Sequence, residues 1–494
     1  MQDQPSIKSK IARGATWMLL LRATDRGLAF FSTIILARVL VPADFGLVAM
    51  AMSVITLIEL TGAFSLEVAL IQRAHPTREQ YDTAWTLRIV FALIGATATA
   101  ALAWPAAKFY EDPRLAAVLF VLAANWLVGS FENIGVVDFR RELNFRREYW
   151  YMISKRLVAM PVTLVLAITF RTYWALIAGT VAGTLATVLL SYVMHPYRPR
   201  PALRAWRELF SFSIWLFLGN LLMFLQARLA HFVIGRSHGA DALGIFTVAT
   251  DFAALASTEI TAPVNRAIMP GLSRMAESIE GIRRGMVQIT SAVLLITLPA
   301  AFGMAAIAEP VVLTLLGDQW PAAVPVLRIL VIAGALQSIT ANNHSAYLAV
   351  AKSQVPVFIN TVFVLALIPL LFGLRSLGVV GAAFAQLGAM VAAVAVSIGL
   401  MKQYLGTTLG ELAGAVWRPL TAAAIMACAV YALDQSQFGF GHVLPPYVRL
   451  IACLLCGFAL YVPLVGMLWV LSGRGDGVER ALLERARAAL QRPA

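Results

Sequence analysis

Long apolar stretches follow one another along the whole chain, joined by short polar loops, and every second loop is rich in Lys and Arg. Each stretch has about the 20 residues that a helix needs to cross a bilayer. The predicted spans lie near residues 14–37, 44–66, 83–105, 115–137, 149–170, 172–193, 209–235, 243–265, 286–308, 322–350, 355–374, 378–401, 415–433 and 447–471. The two tails and the basic loops hold 25 Lys and Arg residues, against 7 in the loops between them. Because basic loops stay in the cytoplasm, we predict a polytopic membrane protein with both termini inside.

Composition supports this class of protein. Hydrophobic residues make up 60% of the chain and charged residues 13%, and the mean hydropathy is +0.77. A chain this apolar cannot cover itself with polar surface as a soluble globule. The net charge of +13 is spread over loops a few residues long instead of being gathered on one folded domain. This spread favours topology and contact with anionic lipid headgroups over nucleic-acid binding.

The first apolar stretch carries Arg22, Asp25 and Arg26. The apolar core of a cleavable signal peptide does not tolerate such charges, so we expect this stretch to remain as the first span. The three cysteines all fall in the last two predicted spans, where they are typical of packing residues. The sequence therefore predicts no metal site, no cofactor and no disulfide framework.

The chain repeats itself at a constant offset of 198 residues. The segment that begins at Trp17 aligns with the segment that begins at Trp215, and three further landmarks coincide. The aligned pairs are Trp17 with Trp215, Arg38 with Arg236, Gly46 with Gly244, and Ala51 with Ala249. Each unit then holds six helices, and an even number of helices gives the two halves the same orientation in the membrane. Parallel repeats of this kind are common in transporters, with the substrate site between the halves.

The predicted fold is an all-α integral membrane protein of about fourteen transmembrane helices. It comprises two six-helix bundles related as parallel repeats, with two additional C-terminal helices. We predict a cytoplasmic tail at 1–13, bundles at 14–193 and 209–402, a basic linker at 194–208, the extra helices at 415–471 and a basic amphipathic tail at 472–494.

Catalytic signatures are missing from the sequence. It has no phosphate-binding loop of the GxxxxGK[ST] type, no GxSxG and no HExxH. The longest predicted outward loop, DQSQFGFGHVLPP, has one acid and one His, too little for the acid and base of a membrane glycosyltransferase. We therefore predict that the chain is not an enzyme.

Charged residues inside predicted spans are the candidates for function, because each costs about 2.5–3.5 kcal/mol to insert. Candidates for a polar central cavity are Arg22, Asp25, Arg26, Glu59, Arg88, Glu132 and Arg228, and candidates for ion coupling are Asp251, Glu259 and His231. Arg22, Asp25 and Arg26 share one helix face by their spacing. Ion pairs that only fix helix packing are an alternative for the deep charges. For Arg88 the alternative is contact with headgroups, and for His231 it is simple packing.

A cavity rimmed with Arg suits an anionic headgroup, because the guanidinium fork pairs bidentately with phosphate oxygens. A cleft between two helical halves also suits a lipid-linked substrate, whose polar head crosses through the protein while its tail stays in the bilayer. The residues by themselves thus predict a transporter with a polar, partly cationic central path.

Several segments resemble the polysaccharide transport family of oligosaccharide-lipid flippases (Wzx-like). They include LARVLVPADFGLVAMA, with Pro42, Asp44 and Gly46, the triplet IQR that ends at Arg73, and then FRRELNFR, WALIAGTVAG, VIGR, ALGIF, MPGLSR and LLGDQWPAAVPVLRIL. The likeness extends from about residue 12 to residue 402. The superfamily of this family also contains MATE drug antiporters and MurJ lipid II flippases.

The resemblance implies flipping of undecaprenyl-pyrophosphate-linked sugar repeat units from the cytoplasmic to the periplasmic leaflet of a bacterial inner membrane. The implied partners are that lipid-linked oligosaccharide, membrane lipids and other polysaccharide assembly proteins, with no nucleic acid. We expect Arg22 and Arg26 to contact the pyrophosphate and Asp25 to hold their geometry. Alternatives are an ion-coupled small-molecule exporter of the same fold, or a membrane polymerase or ligase of the polysaccharide pathway.

One position departs from the family pattern. Members of the family often have an Asp in the seventh span, where this chain has Ala230 followed by His231. If that Asp serves ion coupling in relatives, Asp251 and Glu259 in the eighth span are the nearest substitutes along the sequence.

Overall fold

The computed structural model describes residues 7–60, 66–71, 73, 76–206, 214–257, 279–349, 352, 354–435 and 444–473, and the longer regular elements in these ranges are all α-helices. They are α1 Ile7–Val39, α2 Pro42–Glu59, α3 Leu66–Ile71, α4 Arg78–Tyr110, α5 Arg114–Ser130, α6 Asp138–Arg141, α7 Phe145–Phe170, α8 Trp174–Met194, α9 Ile214–Ala256, α10 Ile279–Ala306, α11 Ala308–Leu315, α12 Ala323–Ala349, α13 Gln354–Gly373, α14 Gly378–Leu405, α15 Leu409–Gln435 and α16 Pro446–Leu471. The predicted all-α fold is confirmed.

Helix is found at the position of every predicted span, but the number of membrane crossings is a separate matter. In the described ranges, 11 helices are long and apolar enough to cross a membrane, or 12 if the bent pair that includes α5 forms one span. The helix α1 is not among them, since Arg22, Asp25 and Arg26 place three charges in its middle. The helix α9 counts once although it replaces two predicted spans. Fourteen crossings therefore stay a prediction.

The helix α9 is broken at Gly239, where the backbone has φ +79° and ψ −172°. Glycine adopts a positive φ without steric cost because it has no Cβ. The predicted loop between the seventh and eighth spans is thus reduced to a single break between two helical arms.

The chain forms two compact units, residues 1–224 with 235–244, and residues 225–234 with 245–494. In the first unit, α1 packs along α7, α7 along α8, and α2 against both α4 and α5. In the second, α10 contacts α12 and α15, α14 lies against α12 and α13, and α16 packs on α15 and α11. The two C-terminal helices are therefore packed onto the body of the second unit. The boundaries of 14–193 and 209–402 stay predictions.

A reciprocal glycine contact within the first unit matches the sequence repeat. Gly46 lies against the backbone of Ala240, and Gly244 lies against the backbone of Pro42. Ala240 follows Pro42 by 198 residues, and Gly244 follows Gly46 by the same offset. The same contact is therefore made twice, once by each half of the repeat. This supports the repeat, and the lack of space for a Cβ explains why both positions are glycine.

Candidate functional site

A cavity of about 460 Å³ lies inside the first unit. It is lined by residues of α2, α3, α4, α5, α7 and α8, together with Glu132 just beyond the end of α5. Three of the sequence candidates line it together, namely Glu59, Arg88 and Glu132. Its size is in the range of small-molecule sites, about 300–1,000 Å³.

Arg88 and Glu132 form an ion pair at the wall of this cavity. The Arg88 guanidinium donates to one carboxylate oxygen of Glu132, and the hydroxyl of Tyr151 donates to the other. Arg88 also reaches the carbonyl oxygen of Gly129 at 3.4 Å. A charge in an apolar setting needs both a counter-charge and hydrogen bonds to be tolerated, and the arrangement supplies both. Within the protein, the guanidinium of Arg88 is held by Glu132.

The ion pair belongs to a longer network that the sequence did not predict. Glu67 lies 3.8 Å from Arg88 through one carboxylate oxygen and 3.5 Å from Arg140 through the other. Arg140 in turn donates to Glu148, which is buried. Three carboxylates and two guanidinium groups therefore form one chain of contacts from the cavity to α6. Arg140 lies in the motif FRRELNFR, one of the segments that resemble the flippase family.

A sharp bend at the end of α5 determines where Glu132 lies. The axis turns by 72° between Arg114–Ser130 and Ile134–Arg141. Asn133 holds this bend, since its Oδ1 accepts from the backbone of Gly135 at 3.0 Å and its Nδ2 donates to the carbonyl of Tyr197 at 2.7 Å. The basic linker that begins after α8 therefore helps to shape the cavity wall.

The three charges of α1 have different surroundings. Arg22, Asp25 and Arg26 are not among the residues that line this cavity. Asp25 accepts a hydrogen bond of 2.7 Å from Nε of Arg156 on α7, and the two side chains are 39% and 46% exposed. The partnership with Arg156 was not anticipated from the sequence, and the roles predicted for the α1 charges stay predictions.

The remaining candidates belong to the second unit or lie outside the described residues. His231 is buried and packs edge-on against Phe246, with ring centroids 5.7 Å apart. Arg228 is half-buried and Asp251 is exposed on α9. Glu259 lies outside the described residues.

The comparisons with known proteins decide the family. A sequence profile for a family described as "Polysaccharide biosynthesis protein" matches residues 35–325, more than half of the chain. The chain belongs to this family. The succinoglycan biosynthesis transport protein ExoT of Rhizobium meliloti (strain 1021) is 27% identical to this chain over 330 residues, which are 66% of this chain and 67% of ExoT. The lipopolysaccharide biosynthesis protein WzxC of Escherichia coli (strain K12) is 23% identical over 424 residues, 84% of this chain and 85% of WzxC.

Solved structures show the same fold. The lipid II flippase MurJ in an inward closed conformation matches with a TM-score of 0.72 at 13% identity, covering 91% of this chain and 99% of MurJ. An inward-facing MATE multidrug resistance transporter of the MOP superfamily matches with a TM-score of 0.57 at 15% identity, covering 77% of this chain and 94% of its own. The MurJ- and MATE-like fold expected for this family member is therefore confirmed.

Proposed function

We propose that this chain flips a lipid-linked oligosaccharide from the cytoplasmic to the periplasmic leaflet of a bacterial inner membrane, by alternating access and without catalysis of its own. Both termini lie in the cytoplasm, and the natural cargo is an undecaprenyl-pyrophosphate-linked repeat unit for exopolysaccharide, capsule or O-antigen. The observation that carries the proposal is a polar, charge-lined cavity inside an apolar helical unit, in a chain of the polysaccharide biosynthesis family.

The physical reason is the cost of moving a charged, hydrated head through hydrocarbon. A cavity with paired charges such as Arg88 and Glu132 replaces water around the head with fixed polar groups. The lipid tail needs no such replacement, because it stays in the bilayer throughout. A transporter that moves the head through its interior and leaves the tail in the bilayer needs polar groups in that interior and no hydrolytic residues.

The test is the location of the stalled intermediate. Deleting the chain in its own host should abolish surface polysaccharide and leave undecaprenyl-linked repeat units in the cytoplasmic leaflet, measured by their accessibility to a membrane-impermeant probe in inside-out and right-side-out vesicles. Repeat units stalled in the periplasmic leaflet would instead indicate a polymerase or ligase. Normal polysaccharide with new sensitivity to cationic drugs would indicate an ion-coupled exporter.

Within this function we assign Arg22 and Arg26 to the pyrophosphate, with Asp25 holding their geometry. A guanidinium fork pairs bidentately with phosphate and an ammonium does not. Flipping per inserted molecule should therefore fall noticeably in Arg22→Lys and further in Arg22→Ala, and Asp25→Asn should lower both flipping and protein level. Activity is normalised to membrane-inserted protein, and Arg375→Ala, at a predicted outward turn, serves as the matched control. Unchanged specific activity in Arg22→Ala would remove this assignment.

A further inference from the structure

The wall of the cavity formed by α8 offers hydrogen-bond acceptors. Thr180, Thr184 and Thr187 all line the cavity, and each has a hydroxyl group. Each donates its proton to a backbone carbonyl of its own helix, at 2.9, 3.1 and 2.8 Å. A hydroxyl that donates its proton keeps two lone pairs, so in this arrangement the three groups can accept hydrogen bonds from a ligand.

The wall formed by α5, which packs against α8, adds an amide and a carboxylate. Oδ1 of Asn125 on α5 is buried and has no hydrogen-bond partner within the described residues. A buried acceptor without a donor is unfavourable, so a rotation of the Asn125 amide toward the cavity that this residue lines would gain a hydrogen bond from a ligand. The carboxylate of Glu132 adds two further oxygens, already engaged by Arg88 and Tyr151 but with lone pairs remaining.

The charges on the lining cancel formally. Glu59 and Glu132 carry two negative charges, and Arg88 and Lys155 carry two positive charges. A pyrophosphate brings several negative charges, which a lining with no net positive charge does not balance. A sugar brings several hydroxyl groups, each with a proton to donate, and no charge to neutralise.

An aromatic side chain completes the lining. Trp126 lines the cavity, and its ring lies so close to Gly95 of α4 that a Cβ at Gly95 would overlap it. The missing side chain at Gly95 therefore fixes the depth at which the indole lies. The face of an aromatic ring is electron-rich and attracts partly positive groups, and the C–H groups of a pyranose ring are of this kind.

We propose that this cavity is a saccharide subsite, which holds a pyranose of the cargo's head through Trp126, Asn125 and the α8 threonines while the diphosphate is held elsewhere. The inference rests on the proposed function, since it names the part of the cargo that the first unit recognises. It assigns specificity for the sugar to a cavity built by one unit alone.

The test uses the full-length protein in nanodiscs and, as probe, the repeat-unit oligosaccharide obtained by partial hydrolysis of the host's own surface polysaccharide. Binding is measured by isothermal titration calorimetry, with inorganic pyrophosphate and tetraphenylphosphonium as comparison ligands. Trp126→Ala should weaken oligosaccharide binding about tenfold, equivalent to about 1.4 kcal/mol, and Trp126→Phe should keep most of it. Gly95→Ala should also weaken binding, because it displaces the indole. Trp104→Ala, on the same helix as Gly95 but 67% exposed, is the matched control and should bind as the wild type does.

The results separate this inference from the proposed function. The subsite is supported if the wild type binds the oligosaccharide, Trp126→Ala does not, and pyrophosphate binding is the same in both. This holds even if the leaflet experiment fails. A normal leaflet experiment without oligosaccharide binding by the wild type overturns the subsite alone. Two other results also overturn the subsite. In one, Trp126→Ala weakens the binding of pyrophosphate and of the oligosaccharide equally; in the other, tetraphenylphosphonium is the ligand whose binding this substitution weakens. Thermal unfolding of each variant shows that the compared proteins are folded.

Discussion

Replacing Asp434 by Ala should destabilise the protein by about 3–5 kcal/mol, the usual cost of leaving one member of a buried ion pair without its partner. Asp434 ends α15 and its side chain is fully buried, while that of Arg449 on α16 is 8% exposed. The pair is bidentate, with Nε to Oδ1 at 3.0 Å and Nη2 to Oδ2 at 2.9 Å. Removing the carboxylate leaves a guanidinium that is too buried to be hydrated. The midpoint of thermal unfolding in nanodiscs measures the loss.

A double substitution distinguishes a buried charge from simple loss of contact. Asp434→Leu combined with Arg449→Met removes both charges and keeps apolar volume, so it should recover most of the stability that Asp434→Ala loses. The matched control is Glu280→Ala, since Glu280 pairs with Arg284 at 2.8 Å but both side chains are more than half exposed. That variant should unfold like the wild type. A double variant no more stable than Asp434→Ala would contradict this account of the pair.

Replacing Gly46 by Ala should sharply lower the amount of folded protein in the membrane. A Cβ at Gly46 would overlap the carbonyl oxygen of Ala240, and a Cβ at Gly244 would overlap that of Pro42. Overpacking costs about 1–3 kcal/mol and more where backbone must move, and losses of this size change cellular abundance several-fold. Gly46→Ala and Gly244→Ala should each show this drop in the fluorescence of a C-terminal fusion and in the unfolding midpoint.

The reciprocal geometry adds a second expectation. Because both glycines serve one close approach, the double variant Gly46→Ala, Gly244→Ala should lose less stability than the two single losses added together. Gly27→Ala on α1 is the matched control, since a Cβ there would meet nothing within 4 Å. Abundance of Gly46→Ala equal to that of Gly27→Ala would show that the two backbones are not in contact.

The candidate site shows how far sequence reasoning reaches. Glu59, Arg88 and Glu132 were selected because charges at membrane depth are costly, and the structure brings all three to one cavity. The same reasoning missed Tyr151, because a tyrosine in a span is an ordinary apolar-compatible residue. It placed Glu67 at the edge of the second span but did not select this residue as a candidate. Nothing in their own local sequence distinguishes either residue from many others in the chain.

The sequence by itself determined the helices, the predicted orientation and the repeat. A bilayer forces every spanning segment to satisfy its own backbone hydrogen bonds, so length and apolarity suffice to locate helices such as α4 or α16. The repeat can be recognised in the sequence because the close contacts of Gly46 with Ala240 and of Gly244 with Pro42 leave no room for a side chain on either glycine.

Only the tertiary structure decided which charges meet. Arg88 pairs with Glu132 because α4 packs on α5, and Asp25 pairs with Arg156 because α1 packs along α7. Arg449 lies near the start of α16, and its partner is a buried aspartate on the preceding helix. Helical periodicity specifies the face on which a residue lies, but not the helix opposite that face. Residues distant in sequence become partners through packing, which depends on the shapes of all the helices together.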